Sequence, residues 1–190
     1  GDVYKRQVRI PKELYDSKHK KTAVADYLLR NFAKQLERHS FQAHGSGKSG
    51  IIQVTRCGQE VLERTACEID EKTGDVTVRF EVGFPARGRT IQAGELVKIL
   101  YQYLPACVEK ALYYKNMDRN AVKQAAELSV DQEYIREQLK KEGLVAFVAD
   151  GSILPRESGV SQRPMKDAVP FASPDSMRIT MKLSLIHISE

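Results

Sequence analysis

Apolar residues recur at helical spacing between Thr22 and Arg38. Val24, Leu28 and Phe32 follow one another at every fourth position, with Tyr27, Ala33 and Leu36 beside them. Lys21, Asp26, Arg30, Lys34 and Arg38 fall largely on the opposite side, so the stretch reads as an amphipathic helix packed on a core. A polar, glycine-rich bridge (Ala43–Gly50) follows, and the pattern then changes to strand-like runs at Ile51–Arg56, Gln59–Ile69 and Val76–Phe84. The second and third are joined by Glu71-Lys72-Thr73-Gly74-Asp75, a hairpin turn with glycine available for a left-handed position. In the third run Val76, Val78, Phe80 and Val82 alternate with Thr77, Arg79 and Glu81, the mark of a strand with one buried and one wet face.

Pro85–Arg89 ends this sheet, and Ala93, Leu96, Val97, Leu100 and Leu104 outline the next helix. Pro105 has no backbone donor and must kink or restart that helix. Asp118 is placed to cap a short helix over Ala121, Val122 and Ala125. Ser129-Val130-Asp131-Gln132 matches a capping box that starts another at Val130, with Ile135 and Leu139 inward and Gly143 as its stop. Leu144–Val148 reads as a buried strand ending at Asp150-Gly151, and Met177–Leu183 as a last strand. Between them lies a long loop that holds four of the seven prolines, and loops of that length are usually functional or disordered. The expected fold class is α+β: a small mixed, largely antiparallel sheet packed by helices, leading into a second unit.

Composition narrows the function classes. No apolar run approaches the ~20 residues of a membrane span, and no secretory apolar segment opens the chain, so no membrane partner is expected. Cys57, Cys67 and Cys107 lack the spacing of a zinc or disulfide framework, and a reducing cytoplasm is the expected compartment. His19, His39, His44 and His187 show no ligand spacing, so no metal site is expected from them. No serine sits in a nucleophile elbow, and Glu60 and Glu63, three residues apart on one expected strand, fall on opposite faces. The net charge is +5 and the pI is about 9.1, which permits contact with nucleic acid without establishing it.

Specific words appear at several places. FVADGSILPRESGVS (Phe147–Ser161), Pro164-Met165 and Val169-Pro170-Phe171 with Ser173-Pro174 resemble the segment that precedes the ATP-binding core in the bacterial ATPases of the ABC class. Gly83-Phe84-Pro85-Ala86-Arg87-Gly88-Arg89-Thr90 and Gly58–Ala66 resemble that family as well. The resemblance implies ATP binding and hydrolysis with Mg2+, two nucleotide sites completed between paired copies, and a phosphate loop beyond the position where this chain stops. Residues 8–143 are then an N-terminal α+β domain, and 144–183 the strand, proline-rich loop and strand that lead into a truncated ATPase core. Residues 1–7 (GDVYKRQ) and 184–190 (SLIHISE) resemble translated sequencing-adapter read-through and are set apart, although SLIHIS also alternates as a terminal strand would. Without them the net charge is still +5.

The candidate site residues are basic. Gly45-Ser46-Gly47-Lys48-Ser49 invites comparison with a Walker A loop, but that motif needs glycine where Gln42 stands. A phosphate loop also joins a strand to a helix, whereas here a helix precedes and a strand follows. Lys48 is therefore either a solvated turn residue or, with neighbouring amides, a ligand for a phosphate of nucleic acid or nucleotide. Arg87 and Arg89 flank Gly88 and could present two guanidinium forks to phosphates; alternatively Arg89 locks the sheet to the next helix through a carboxylate, and Arg87 is plain surface. In the long loop, where Asp150 and Glu157 are further candidates, Arg156 is the residue best suited to phosphate, against a reading as a simple tether. No catalytic residue is expected, and this chain alone is expected to be inactive as an ATPase. The competing classes are a module that binds RNA or DNA through phosphates and a structural arm that pairs two copies.

Overall fold

The computed structural model describes residues 9–181 and 183. The chain divides into two compact units, residues 1–126 and 127–190. The first unit is built around helix α1 (Lys18–His39). Ser17 starts it by accepting the Lys20 amide on its hydroxyl at 3.3 Å, which satisfies one orphan donor of the first turn. Val24, Leu28, Leu29, Phe32 and Leu36 are all but excluded from solvent. At roughly 1.5–3 kcal/mol for each fully buried side chain, this stripe is the main hydrophobic anchor of the unit.

Strands β1 (Ile52–Gln53) and β2 (Cys67–Ile69) lie against α1; β4 (Glu81–Val82) pairs with β1 and β3 (Val76–Val78) with β2, and every pairing in the sheets is antiparallel. The hairpin β2–β3 forms as its sequence suggests: Gly74 takes φ +73°, and Asp70 accepts the Lys72 and Thr73 amides. Next come the hairpin β5 (Ala86–Arg87) and β6 (Thr90–Ile91), helix α2 (Ala93–Lys98), a π-helical turn (Ile99–Tyr103) and α3 (Leu104–Ala111). The backbone stays right-handed helical from α2 through the π turn into α3, where Pro105 is the second residue, so the helix runs on through a π turn rather than breaking at the proline. Helix α4 (Arg119–Lys141) follows, with Val122 and Ala126 in the core of the first unit.

Several expectations need correction. Asp26 is not on a wet face: it is 3% exposed. It accepts hydrogen bonds from Arg30 Nε at 2.5 Å and from Arg64 Nη1, and a buried carboxylate survives only when so paired. The run Gln59–Ile69 forms a strand only at Cys67–Ile69, apart from an isolated bridge between Arg64 and Cys67. Before that the chain is irregular, because the Glu60 carbonyl takes donors from both Arg30 and Arg64 instead of from a neighbouring strand. Val76–Phe84 likewise breaks at Arg79-Phe80, and Phe80 is 38% exposed, with its ring edge-on to Phe32. Pro85–Arg89 does not merely end the sheet but enters the β5–β6 hairpin. Val97 and Leu100 are exposed, whereas Leu104 is buried as expected and Ile99 is buried as well. Asp118 caps α4 through the Ala121 amide, but no second helix begins at Ser129. With no glycine or proline between Arg119 and Lys141, extending the existing helix costs less than nucleating another.

In the second unit, Gly143 ends α4 with φ +66°, and the Leu144 amide reaches back to the Leu139 carbonyl. Leu144–Val148 is not a buried strand: Val145 is fully exposed, and no strand pairs with this run among the described residues. Apolar content alone does not make a strand where its ladder partner is lacking. The proline-rich loop instead contains an exposed hairpin, β7 (Arg156–Ser158) with β8 (Ser161–Pro164). Its neck is tied by Gly151 N to Phe171 O and Phe171 N to Ser152 O, both 2.8 Å, and by Ser173 N to Asp150 Oδ1 at 2.7 Å. Asp175–Met177 is a short 3-10 turn, so the last expected strand does not form over its described residues. The two terminal segments set apart in the sequence lie outside the described residues. Among the described residues no helix is long and apolar enough to cross a membrane.

Candidate phosphate-binding surface

The glycine-rich turn is shaped by close backbone approach. A Cβ on Gly45 would meet Ser49 Cβ at 2.4 Å, and one on Gly50 would meet the Ala43 carbonyl oxygen at 2.4 Å. Gly50 also needs φ +74°, which side chains rarely adopt. Across the β1–β4 ladder, a Cβ on Gly83 would lie 2.1 Å from the Lys48 carbonyl oxygen. At these positions glycine is required by packing.

Ser49 fastens this turn to the β5–β6 hairpin. Its buried hydroxyl donates to Ser46 O at 2.6 Å and more weakly to Ala86 O at 3.3 Å, and it accepts the Ala86 amide at 3.1 Å. Ser46 adds two donors to the same Ala86 carbonyl, its amide at 2.8 Å and its hydroxyl at 3.1 Å. Buried Pro85 holds the base of the hairpin, and its carbonyl accepts the Gln92 amide at 2.8 Å. Gly88 supplies the positive φ of the tip at +58°.

The start of α2 completes the platform. Glu95 accepts the His44 amide at 3.1 Å and Lys98 Nζ at 2.6 Å. Those bonds, the Lys98 one first, hold the Glu95 carboxyl below its ordinary range, and the same pairing holds Lys98 above its own. With the Gln92 amide nitrogen facing His44 O and its oxygen facing Arg87 Nε, both contacts measure 3.2 Å.

Lys48 is therefore two residues from a hydrogen bond whose other end, Ala86, adjoins Arg87 and is three residues from Arg89. All three cations are exposed. Lys48 and Arg89 have no protein partner among the described residues, and Arg87 commits only its Nε. Arg89 makes no carboxylate lock onto α2; Glu95 does the local fastening instead. Arg156 lies exposed in β7 of the second unit, and no bond of this network involves it. Glu157 is engaged by the Ser161 hydroxyl at 3.1 Å, and Asp150 serves the loop neck. Sequence reasoning missed Ser49, Gln92 and Glu95. Their residue types are common at turns and helix starts, and their roles depend on partners some 40 to 50 positions away.

The same geometry tests the turn as a site for ATP with Mg2+. In a phosphate loop the Ser or Thr hydroxyl after the lysine faces the metal. Here that hydroxyl is buried and already spent on Ser46 and Ala86, and the turn leads into a strand. Among the described residues no cluster of His, Cys, Asp and Glu could hold a metal ion. The turn does not fit the nucleotide and its metal. Residues 2–115 match the family described as ATPase of the ABC class N-terminal, and residues 118–188 match its P-loop domain. No curated protein matches the chain.

Proposed function

The chain belongs to the ATPases of the ABC class, and from that premise we propose that it serves such an ATPase by gripping the phosphates of RNA or DNA. These 190 residues contain no run matching a Walker A motif, so the reading assigns ATP hydrolysis to none of the residues named here. The observation that carries the reading is the Ser46–Ser49 clamp on Ala86, which gathers Lys48, Arg87 and Arg89 from segments far apart in sequence. Exposed, largely uncommitted cations on a rigid base suit a polyanion better than a small ligand, and they carry no sequence preference of their own. Arg156, on the second unit, is a separate phosphate contact in this proposal.

Titration with RNA and DNA at several salt concentrations tests it. Each phosphate contact adds roughly 0.7–0.9 to the slope of log affinity against log salt. The double change Arg87→Ala/Arg89→Ala should therefore flatten the slope by about 1.4–1.8. No binding at low salt, or a slope unmoved by the double change, would overturn the reading. A phosphate-release assay on the same chain should match buffer; turnover abolished by Lys48→Ala would show that the turn handles ATP after all.

A further inference from the structure

We propose, resting on the nucleic-acid reading above, that the polyanion is a single strand and that one of its bases seats in a cleft at the other end of the β1–β4 ladder. The cleft opens where the chain leaves β1 at Val54 and returns at Thr65, and it has a volume of about 430 Å³. That lies within the ~300–1,000 Å³ of small-molecule sites, so one base and its sugar fit.

The lining combines a ring, a guanidinium and a polar edge. Phe80 is 38% exposed, and its ring is held edge-on to buried Phe32, with centroids 5.7 Å apart, so its orientation is set before any ligand arrives. Such a ring is a stacking surface for any base. Gln53 Nε2 donates to Glu81 Oε2 at 2.7 Å, which leaves Gln53 Oε1 and Glu81 Oε1 without protein partners among the described residues. Those oxygens accept from base amino groups, as carboxylates do in groove readout. A carboxylate repels phosphate, so this end of the cleft takes the base and not the backbone. Arg56, exposed and unpaired among the described residues, is the cation left for the adjoining phosphate. Arg79 is already committed to Glu68 at 2.5 Å.

The cleft and the cationic cluster share one ladder. Gly50, where the glycine turn ends, and Gln53 at the far end of β1 are three residues apart, at most roughly 10 Å at ~3.3 Å per residue. One strand can cover both, since single-strand sites span about 4–16 nucleotides. A rigid duplex keeps its bases stacked inside and cannot offer one to Phe80.

The test is fluorescence anisotropy on the full chain with two labelled strands of about 12 nucleotides, an oligocytidylate, whose bases carry an amino group, and an abasic strand of the same length. The base-bearing strand should bind about 10-fold tighter. Phe80→Leu, which keeps an apolar group against Phe32, should erase that preference and leave the salt slope unchanged. Arg56→Ala should weaken both strands alike. Gln53→Ala, at an exposed position, should narrow the preference with no risk to folding, and circular dichroism would verify the fold of each variant. Equal affinity for the two strands, or tighter binding of a duplex, would overturn the cleft while the phosphate reading stood. Failure of both strands to bind would remove the phosphate reading as well.

Discussion

Replacing Asp26 by alanine should strongly destabilise the first unit. The carboxylate is 3% exposed and holds two guanidiniums, Arg30 Nε at 2.5 Å and Arg64 Nη1. The Arg64 side chain is itself only 14% exposed, so without Asp26 it is left a nearly buried, uncompensated charge. Breaking one side of a buried pair costs about 3–5 kcal/mol. The Arg30 side chain is 34% exposed, and its share falls toward the ~0–1 kcal/mol of a surface pair. The expected loss is therefore about 3 kcal/mol, a large part of the ~5–15 kcal/mol that stabilises a typical domain. In urea, with a slope of ~2 kcal/mol per molar, the midpoint should fall by about 1.5 M. Hydrogen exchange should accelerate first across residues 59–65, whose carbonyls are held by the same arginines. The double change Asp26→Leu/Arg64→Met, which removes both buried charges, should recover to within about 1 kcal/mol of the original. A midpoint shift below about 0.3 M for Asp26→Ala, or a double variant no better than the single one, would refute the reasoning.

Phe80→Ala should cost about 1–2 kcal/mol, well under the ~3–5 of a fully buried ring, because 38% of Phe80 already faces solvent; thermal melts will show it. Gly50→Ala should destabilise strongly, since its Cβ would meet the Ala43 carbonyl oxygen at 2.4 Å, while Gly94→Ala, with open space inside α2, should stabilise by about 0.5–1 kcal/mol in the same assay. The Asp70 carboxyl is held below its ordinary 3.8, first by the Thr73 amide and then by that of Lys72. Its support of the β2–β3 turn is therefore present above pH 3.8 and lost as pH falls through the lower folded value, so melting curves of the original chain and Asp70→Ala should converge in acid.

What the sequence made legible was local. Val24, Leu28 and Phe32 declare α1 because helical spacing is a property of the chain itself, and Gly74 and Gly143 mark turns because their positive φ values need glycine. Strand limits were not legible, because a strand exists only opposite its partner: Gln59–Ala66 and Leu144–Val148 carry strand-like residues with no ladder beside them. Asp26 was placed on the wet face because charge usually marks solvent; its burial depends on Arg64, 38 positions away. The candidate surface divides in the same manner. Lys48, Arg87 and Arg89 stood out beside their glycines, but their convergence rests on Ser49 meeting Ala86, 37 residues on.

The tied neck of the proline-rich loop has a consequence for how this protein can vary. Gly151, Ser152 and Phe171 close the excursion at its base, so residues 153–170 form a side branch whose ends are already together. Doubling the length of such a branch costs only about 0.6 kcal/mol of closure entropy. Its tip at Gly159-Val160, where Val160 is fully exposed, can take insertions or a grafted peptide without disturbing the chain on either side. The branch is thus a place where related proteins could diverge in length and charge while the neck residues stay the same.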